Sequence, residues 1–451
     1  MNVISKANDT VLAILGKPKA TDGAWRKMQF CVEQPQDDGM LLYHTLTKEL
    51  LLLTAEEYAN CLENEDLRKH WFVVPENTKD KSVADMVKWV LTAGKKQKQA
   101  ITSYTIFPTT DCNARCFYCF ELSRSRIPMD LETARKTALY IKEHCGGEAV
   151  KISWFGGEPL YNQAAMDEIC KGLQAYGVSF SGKATTNAYL FDEAALEKAK
   201  NLWNIKQVQI TLDGTEAVYN RIKAYIHKDG SPYQIVLRNM EGLLDAGIYV
   251  AVRLNMDLKN GEDLLALVDE LAQRFGPRKN LCVYANHLFK GNEAMADTYS
   301  EEEWNLRGDM MRRLEEKIDA YGLGVRSGVE KKPKLNYCMA DSGNAVTILP
   351  GGEIGLCEHF SETEFVGHID SEGFDEAVVK SWKETTAPIP ECATCFCYPS
   401  CILLKKCANR NKCFLQHRQE RLRKIQRQMV CEYRAWENQT ASDDGPVDLD
   451  C

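Results

Sequence analysis

Histidine and long apolar runs are scarce in this 451-residue chain. No stretch approaches the roughly 20 apolar residues that span a bilayer, so no membrane partner is expected. The opening Met-Asn-Val-Ile-Ser-Lys lacks a charged region followed by an apolar one. That argues against export and for a cytoplasmic protein. Acidic residues outnumber basic ones, 64 to 56, and the net charge of −8 offers nucleic acid no basic surface at the level of the whole chain. At this length, and with 44% apolar residues, two or three domains with cores of their own are expected. Against eight histidines stand 18 cysteines, ten of them from Cys338 onward. A disulfide framework belongs to short secreted chains, so this density favours metal ligation in a reducing compartment.

The most informative stretch is Cys112-Asn-Ala-Arg-Cys116-Phe-Tyr-Cys119. Three thiolates at this spacing can hold three irons of a [4Fe–4S] cube and leave the fourth iron open to a small molecule. Zinc would want a fourth protein ligand nearby, and no histidine lies within reach. Residues Ile101 to Pro108, just before the triplet, read as a strand, and Val150-Lys-Ile-Ser-Trp-Phe155 as a second. The triplet therefore lies on a loop after a strand, where parallel α/β folds collect their active sites. The second strand runs straight into Gly156-Gly157-Glu158-Pro159. Adjacent glycines let a backbone approach a ligand, and a carboxylate beside them can hold an ammonium group. Alone, that tetrapeptide is a common turn.

Together, the CxxxCxxC triplet after one strand and GGEP after the next resemble the radical S-adenosylmethionine (SAM) enzymes. The resemblance implies a [4Fe–4S] cluster on Cys112, Cys116 and Cys119 whose open iron chelates SAM, with Gly156, Gly157 and Glu158 lining the SAM amino group. Ala184-Thr-Thr-Asn187 and Ile210-Thr-Leu-Asp-Gly214 are similar to the family's SAM-contacting strand ends, which implies ribose or carboxylate contacts for Asn187 and Thr211. Strand patterns near 102–108, 150–155, 183–187, 207–212, 249–256 and 281–287 alternate with helical ones such as Leu131–His144 and Asp263–Phe275. Alternation of this kind indicates an α/β fold with a parallel sheet. The resemblance implies a partial (β/α)6 barrel over residues 99–322, in which Glu301 to Tyr321 is a charged amphipathic helix leading to the next domain.

Residues 1–98 lack the cysteine signature. Met28–Glu33, Met40–His44 and Leu50–Leu53 read as strands, and Thr54-Ala-Glu-Glu57 is a capping-box signature. A small sheet followed by helices is the order of winged-helix domains that recognise the leader of a precursor peptide; a packing domain without a ligand is the other reading. In residues 323–438, Cys338-x13-Gly352-x4-Cys357 and Cys392-x2-Cys395-x5-Cys401 resemble the SPASM extension of radical SAM enzymes. On the C-x2-C run alone, a zinc ribbon is the competing reading. The resemblance implies two auxiliary [4Fe–4S] clusters, one on Cys338, Cys357 and Cys407, the other on Cys392, Cys395, Cys401 and Cys413. Two departures from the family pattern stand out. Cys407 follows Cys401 after five residues rather than three, and a ligand upstream of Cys338 is missing. Cys397 is a spare able to fill the vacant place. Cys431 is the alternative to Cys413, but it lies opposite the apolar face of a helix expected over 414–438.

Several features read more simply. Arg418, Arg421, Arg423, Lys424 and Arg427 suit a solvated helix face, and Cys31, Cys61, Cys145, Cys170 and Cys282 suit buried hydrophobes. The acidic end, 439–451, has the composition of a disordered tail. The expected function is radical modification of a ribosomally made precursor peptide, chiefly formation of cysteine thioether crosslinks of the sactipeptide or ranthipeptide kind. An electron donor such as flavodoxin or ferredoxin is the expected second partner. Sulfatase maturation to formylglycine, C–C crosslinking and epimerisation are the alternatives. A mere iron–sulfur electron carrier would have no use for Gly156 to Glu158.

Overall fold

The computed structural model describes all residues except 19–22, 38, 94–99, 124, 289–298, 325–326, 334–337, 360–363, 402–403, 408–414 and 442–451. Six parallel strands stand side by side in chain order: β7 (Ser103–Ile106), β8 (Val150–Trp154), β9 (Phe180–Thr186), β10 (Ile205–Leu212), β11 (Tyr249–Met256) and β12 (Leu281–His287). They are the six strands anticipated from the sequence, and helices such as Leu131–His144 and Gly261–Phe275 connect them. The two-residue period of each strand sorts its side chains. Tyr104, Ile152, Trp154, Val208, Ile210, Val252 and Leu254 join the main apolar core, whereas Thr105, Ser153, Thr185, Gln209, Thr211 and Arg253 line a cavity on the other face.

The six strands precede three more in the same sheet. Strand β13 (Ala345–Ile348) pairs in parallel with β7, and β14 (Glu353–Gly355) and β15 (Gly367–His368) continue antiparallel. Residues beyond 322 thus extend the barrel sheet at its first strand. Gly352, at φ +95°, turns the chain between β13 and β14, which explains a glycine at this point of the cysteine pattern.

The first unit is a four-stranded antiparallel sheet in the order β1 (Asn2–Ser5), β5 (Leu50–Leu53), β4 (Gly39–His44), β3 (Cys31–Gln36). A separate pair joins β2 (Trp25–Lys27) to β6 (Val73–Pro75). Thr54 caps the helix Ala55–Ala59 in a full capping box: its hydroxyl accepts from the Glu57 N–H, and the Glu57 carboxylate accepts from the Thr54 N–H at 2.9 Å. Strand β1 and the helix Asp9–Leu15 were not anticipated.

This unit does not stand apart. The carboxyl-terminal helix, Leu415–Ala441, lays Leu422, Ile425, Met429 and Tyr433 against Val32, Leu41, Tyr43 and Leu50 of the sheet. The helix runs three residues past 438, and the rest of the expected tail lies outside the described residues. Its basic run divides. Arg423 and Arg427 pair with Glu315, and Arg427 also with Asp319, on the helix Glu301–Ala320. Arg421 and Lys424 line a chamber, so this face is not simply solvated. Cys61, Cys145, Cys170 and Cys282 are buried, and Cys31 is partly so.

Candidate active site

Every residue of the first expected site borders one cavity of about 480 Å³ at the carboxyl ends of the barrel strands: Cys112, Cys116, Cys119, Gly156, Gly157, Glu158, Asn187 and Thr211. Burial raises all three thiols, Cys112 to about 12, and Cys112 is raised further by Glu158, Cys116 and Cys119. The Ala114 N–H points at the Cys112 sulfur at 3.3 Å. N–H donors to sulfur and a dry surround are what an iron–sulfur cluster uses, and metal binding releases the thiol protons. Thiolates on separate irons of a cube stand wider apart than the ligands of one ion. Three thiols bordering one cavity are a donor set that suits a cluster with an open corner.

The glycines also have a task within the chain itself. A Cβ on Gly156 would stand 2.4 Å from the Thr109 carbonyl oxygen, and one on Gly157 2.1 Å from that of Asp111. Gly157 N–H and Glu158 N–H donate to those two carbonyls at 3.1 and 2.9 Å. The glycines thus let the GGEP turn lie directly on the cysteine loop. Glu158 is fully buried, and burial pushes its carboxyl up to about 7 against the hydrogen bonds that oppose the shift. It accepts from the Thr186 hydroxyl at 2.6 Å, the Asn187 N–H at 2.8 Å and the Leu160 N–H at 3.2 Å. Three of about four acceptor positions on this carboxylate are filled from within the chain. Glu158 therefore ties the end of β9 to the glycine turn as well as bordering the cavity. Asn187 donates to Asn113 at 2.7 Å and stands 3.8 Å from the Cys112 sulfur, so it braces the cysteine loop too.

Sequence reading missed Arg253, Lys223, Asp213 and Tyr118. Arg253 stands directly across the sheet from Thr211, and its buried Nε has no partner in the structure. The signal was available: one arginine in the apolar run Tyr249–Met256. Lys223 and Asp213 form an ion pair of 3.0 Å, exposed by 4% and 1%. Tyr118 donates to Asp213 at 2.8 Å, and Lys223 donates to Tyr118 at 3.1 Å. This closed network props the loop between Cys116 and Cys119 from beneath.

The remaining cysteines form two groups. Cys338, Cys357 and Cys407 pack on the barrel core, and burial above all raises the Cys338 thiol to about 11 and that of Cys357 to about 12, with Cys407 close enough to add to both. Glu358 and His359, next to Cys357, border the first cavity, and His359 lies 4.4 Å from the Phe120 ring beside Cys119. Cys392, Cys395 and Cys401 instead pack with Met28, Phe30, Leu46 and Trp71 of the first unit. Cys397 belongs with this second group, so it does not fill the vacancy in the first. A hydrogen bond from Cys397 pulls the Cys395 thiol down to about 6, and Cys397 is driven up in return. Cys413 lies outside the described residues, and Cys431 is partly buried.

Residues 106–271 match the Radical SAM superfamily. Over 266 residues the chain is 27% identical to an uncharacterized protein of Methanocaldococcus jannaschii, covering 58% of this chain and 86% of the relative. Among solved structures it is similar to anSMEcpe with bound AdoMet and Cp18Cys peptide, with TM-score 0.54, 12% identity, and coverage of 76% of this chain and 99% of the other. It is also similar to Streptococcus suis SuiB bound to precursor peptide SuiA, with TM-score 0.50, 12% identity, and coverage of 84% and 94%. At such identities the structural likenesses speak for the fold. The three-cysteine loop and the glycine turn locked onto it both lie within the stretch, 106–271, that matches the Radical SAM superfamily, a family that uses a [4Fe–4S] cluster and S-adenosylmethionine.

Proposed function

We propose that the chain modifies a ribosomally made precursor peptide and that the modification is a sulfur-to-carbon thioether crosslink. The observation that carries this reading is the placement of Cys338, Cys357 and Cys407 next to the cavity of Cys112, Cys116 and Cys119, joined through the Phe120–His359 contact. When bound, the SAM-cleaving cofactor pair supplies a radical able to take hydrogen from an unactivated carbon. The chain's own residues position and enclose. Lys223, Asp213 and Tyr118 hold the cysteine loop, while Glu158 and Asn187 fix the strand end against it. Arg253 offers a guanidinium to a carboxylate in the cavity. Closing a thioether from a thiol and a C–H bond removes two hydrogens, and a cluster on Cys338, Cys357 and Cys407 would serve to hold the substrate thiolate and accept the surplus electron. The related proteins with bound peptides agree with a peptide substrate.

Residues 1–98 are proposed to take the leader. Strand addition would use the β1 edge, because the outer strand at the other edge, β3, already gives its Glu33 carbonyl to Gln426 at 2.9 Å. Flavodoxin or ferredoxin is the proposed donor of electrons. The test is anaerobic incubation of the reconstituted enzyme with a cysteine-bearing precursor, SAM and dithionite. The expected product has lost two hydrogens per crosslink and has one cysteine protected from alkylation. A peptide that loses its sulfur, or is altered while every cysteine stays alkylatable, would point to formylglycine formation or C–C chemistry instead.

A further inference from the structure

Arg253 is a half-buried cation in the middle of β11, where the two-residue period of the strand turns it toward the cysteine cavity rather than the core. Thr211 on β10 and Tyr284 on β12 stand beside it in register, and both are neutral. Tyr284 spends its hydroxyl on Gln209, to which it donates at 2.9 Å. The buried Nε has no hydrogen-bond partner, and Arg253 forms no ion pair among the described residues. Other charges of the cavity wall are answered within the chain. Lys223 is paired with Asp213 at 3.0 Å, and Glu158 accepts from Thr186, Asn187 and Leu160. Glu121 and Glu358 lie elsewhere on the wall, within two residues of Cys119 and Cys357. A guanidinium keeps its charge at any ordinary pH, so one drawn partly out of water without a partner loses hydration and gains nothing for it. Two parallel hydrogen bonds to a carboxylate would restore both charge balance and donors.

We propose that Arg253 binds the carboxylate of an acidic substrate side chain, Asp or Glu, at the residue whose carbon is attacked; this rests on the reading that the substrate is a peptide. SAM carries a carboxylate too, and position separates the two sources. The amino and carboxylate groups of SAM sit on one carbon, and the proposed amino site, Gly156 to Glu158, follows β8. In the sheet β8 is three strands from β11, about 14 Å at ordinary strand spacing. The SAM carboxylate therefore belongs on the Glu158 side, and the guanidinium across the sheet is left for the substrate. Size places the acid at the reacting residue. A cavity of about 480 Å³ that also takes a cofactor has room for little more than one substrate side chain.

The test is isothermal titration calorimetry on the full reconstituted chain holding SAM. The probes are blocked pentapeptides Gly-Gly-Xaa-Gly-Gly with Asp, Glu, Asn or Gln at the centre, and the Asn peptide with a free carboxyl terminus. An acidic centre is expected to bind about tenfold more tightly than its amide. Arg253→Gln should abolish that preference with iron content unchanged, and Arg253→Lys, which keeps the charge but not the fork, should retain only part of it. Equal affinity for acid and amide in the unaltered chain overturns the proposal by itself, as does full preference in Arg253→Gln. Weaker SAM binding by Arg253→Gln with the peptide preference intact assigns the guanidinium to the SAM carboxylate. Tightest binding of the Asn peptide with the free terminus assigns it to chain ends, and either result overturns the proposal. Acid-selective binding without a crosslinked product from any cysteine-bearing peptide leaves Arg253 in its role and removes the thioether reading. A crosslink formed equally fast when the attacked residue is changed from acid to amide does the reverse.

Discussion

Gly157 and His44 show how much single positions are asked to do. A methyl group on Gly157 would stand 2.1 Å from the Asp111 carbonyl oxygen and 2.7 Å from that of Thr110, and both are backbone atoms that cannot swing away. Gly157→Ala should therefore displace the cysteine loop, cost about 2 kcal/mol or more, and lower iron by roughly one four-iron cluster. Unchanged iron content and melting temperature would show that the loop yields. His44 is fully buried in the first unit. Its Nδ1 accepts from the Leu46 and Thr47 N–H groups at 3.3 and 3.1 Å, so Nε2 carries the proton and donates to the Trp71 carbonyl at 3.1 Å. Burial pushes this imidazole down to about 4. The unfolded chain takes up a proton near pH 6.5, and the folded one only near 4, so stability falls as pH drops through that window, by about 3 kcal/mol in all. Denaturant midpoints between pH 7 and 5 should show this slope, and His44→Asn should flatten it.

At the scale of elements, the first unit serves as a wall as well as a candidate binding domain. One face of its sheet is covered by the carboxyl-terminal helix, and its helix side packs on Cys392, Cys395, Cys401 and Tyr398. Gln29 donates to the Cys395 carbonyl at 3.4 Å, Thr45 bonds to the Phe396 carbonyl, and Tyr398 to Asp85. Deletion of residues 1–98 should accordingly do more than abolish peptide recognition. It should strip the second cysteine group of its cover, lose about four irons on the cluster plan, and bare an apolar helix face. Iron analysis and binding of a hydrophobic dye check this. A truncated chain with full iron content and no dye response would mean that the unit is a detachable module.

For the whole molecule, the three cysteine groups predict about twelve irons per reconstituted chain and little zinc. Replacing Cys112, Cys116 and Cys119 together with Ala should leave a folded protein with about eight irons that forms no 5′-deoxyadenosine under dithionite. Undiminished SAM cleavage in that variant would sink the assignment of the catalytic cluster. The six strands, the helices Leu131–His144 and Glu301–Ala320, and the spacing of the cysteine triplet were legible in the sequence, because each is a local pattern of period or offset within a few turns of chain. The glycine turn was legible as a motif, but not its seat on the carbonyls of Thr109 and Asp111. Arg253 facing Thr211, β13 closing onto β7, Cys397 grouping with Cys395 and Cys401, and the chamber between sheet and terminal helix all join distant parts of the chain. Local periodicity says which face of an element is buried, whereas which element covers it is settled by long-range packing, so these features belong to the tertiary structure alone.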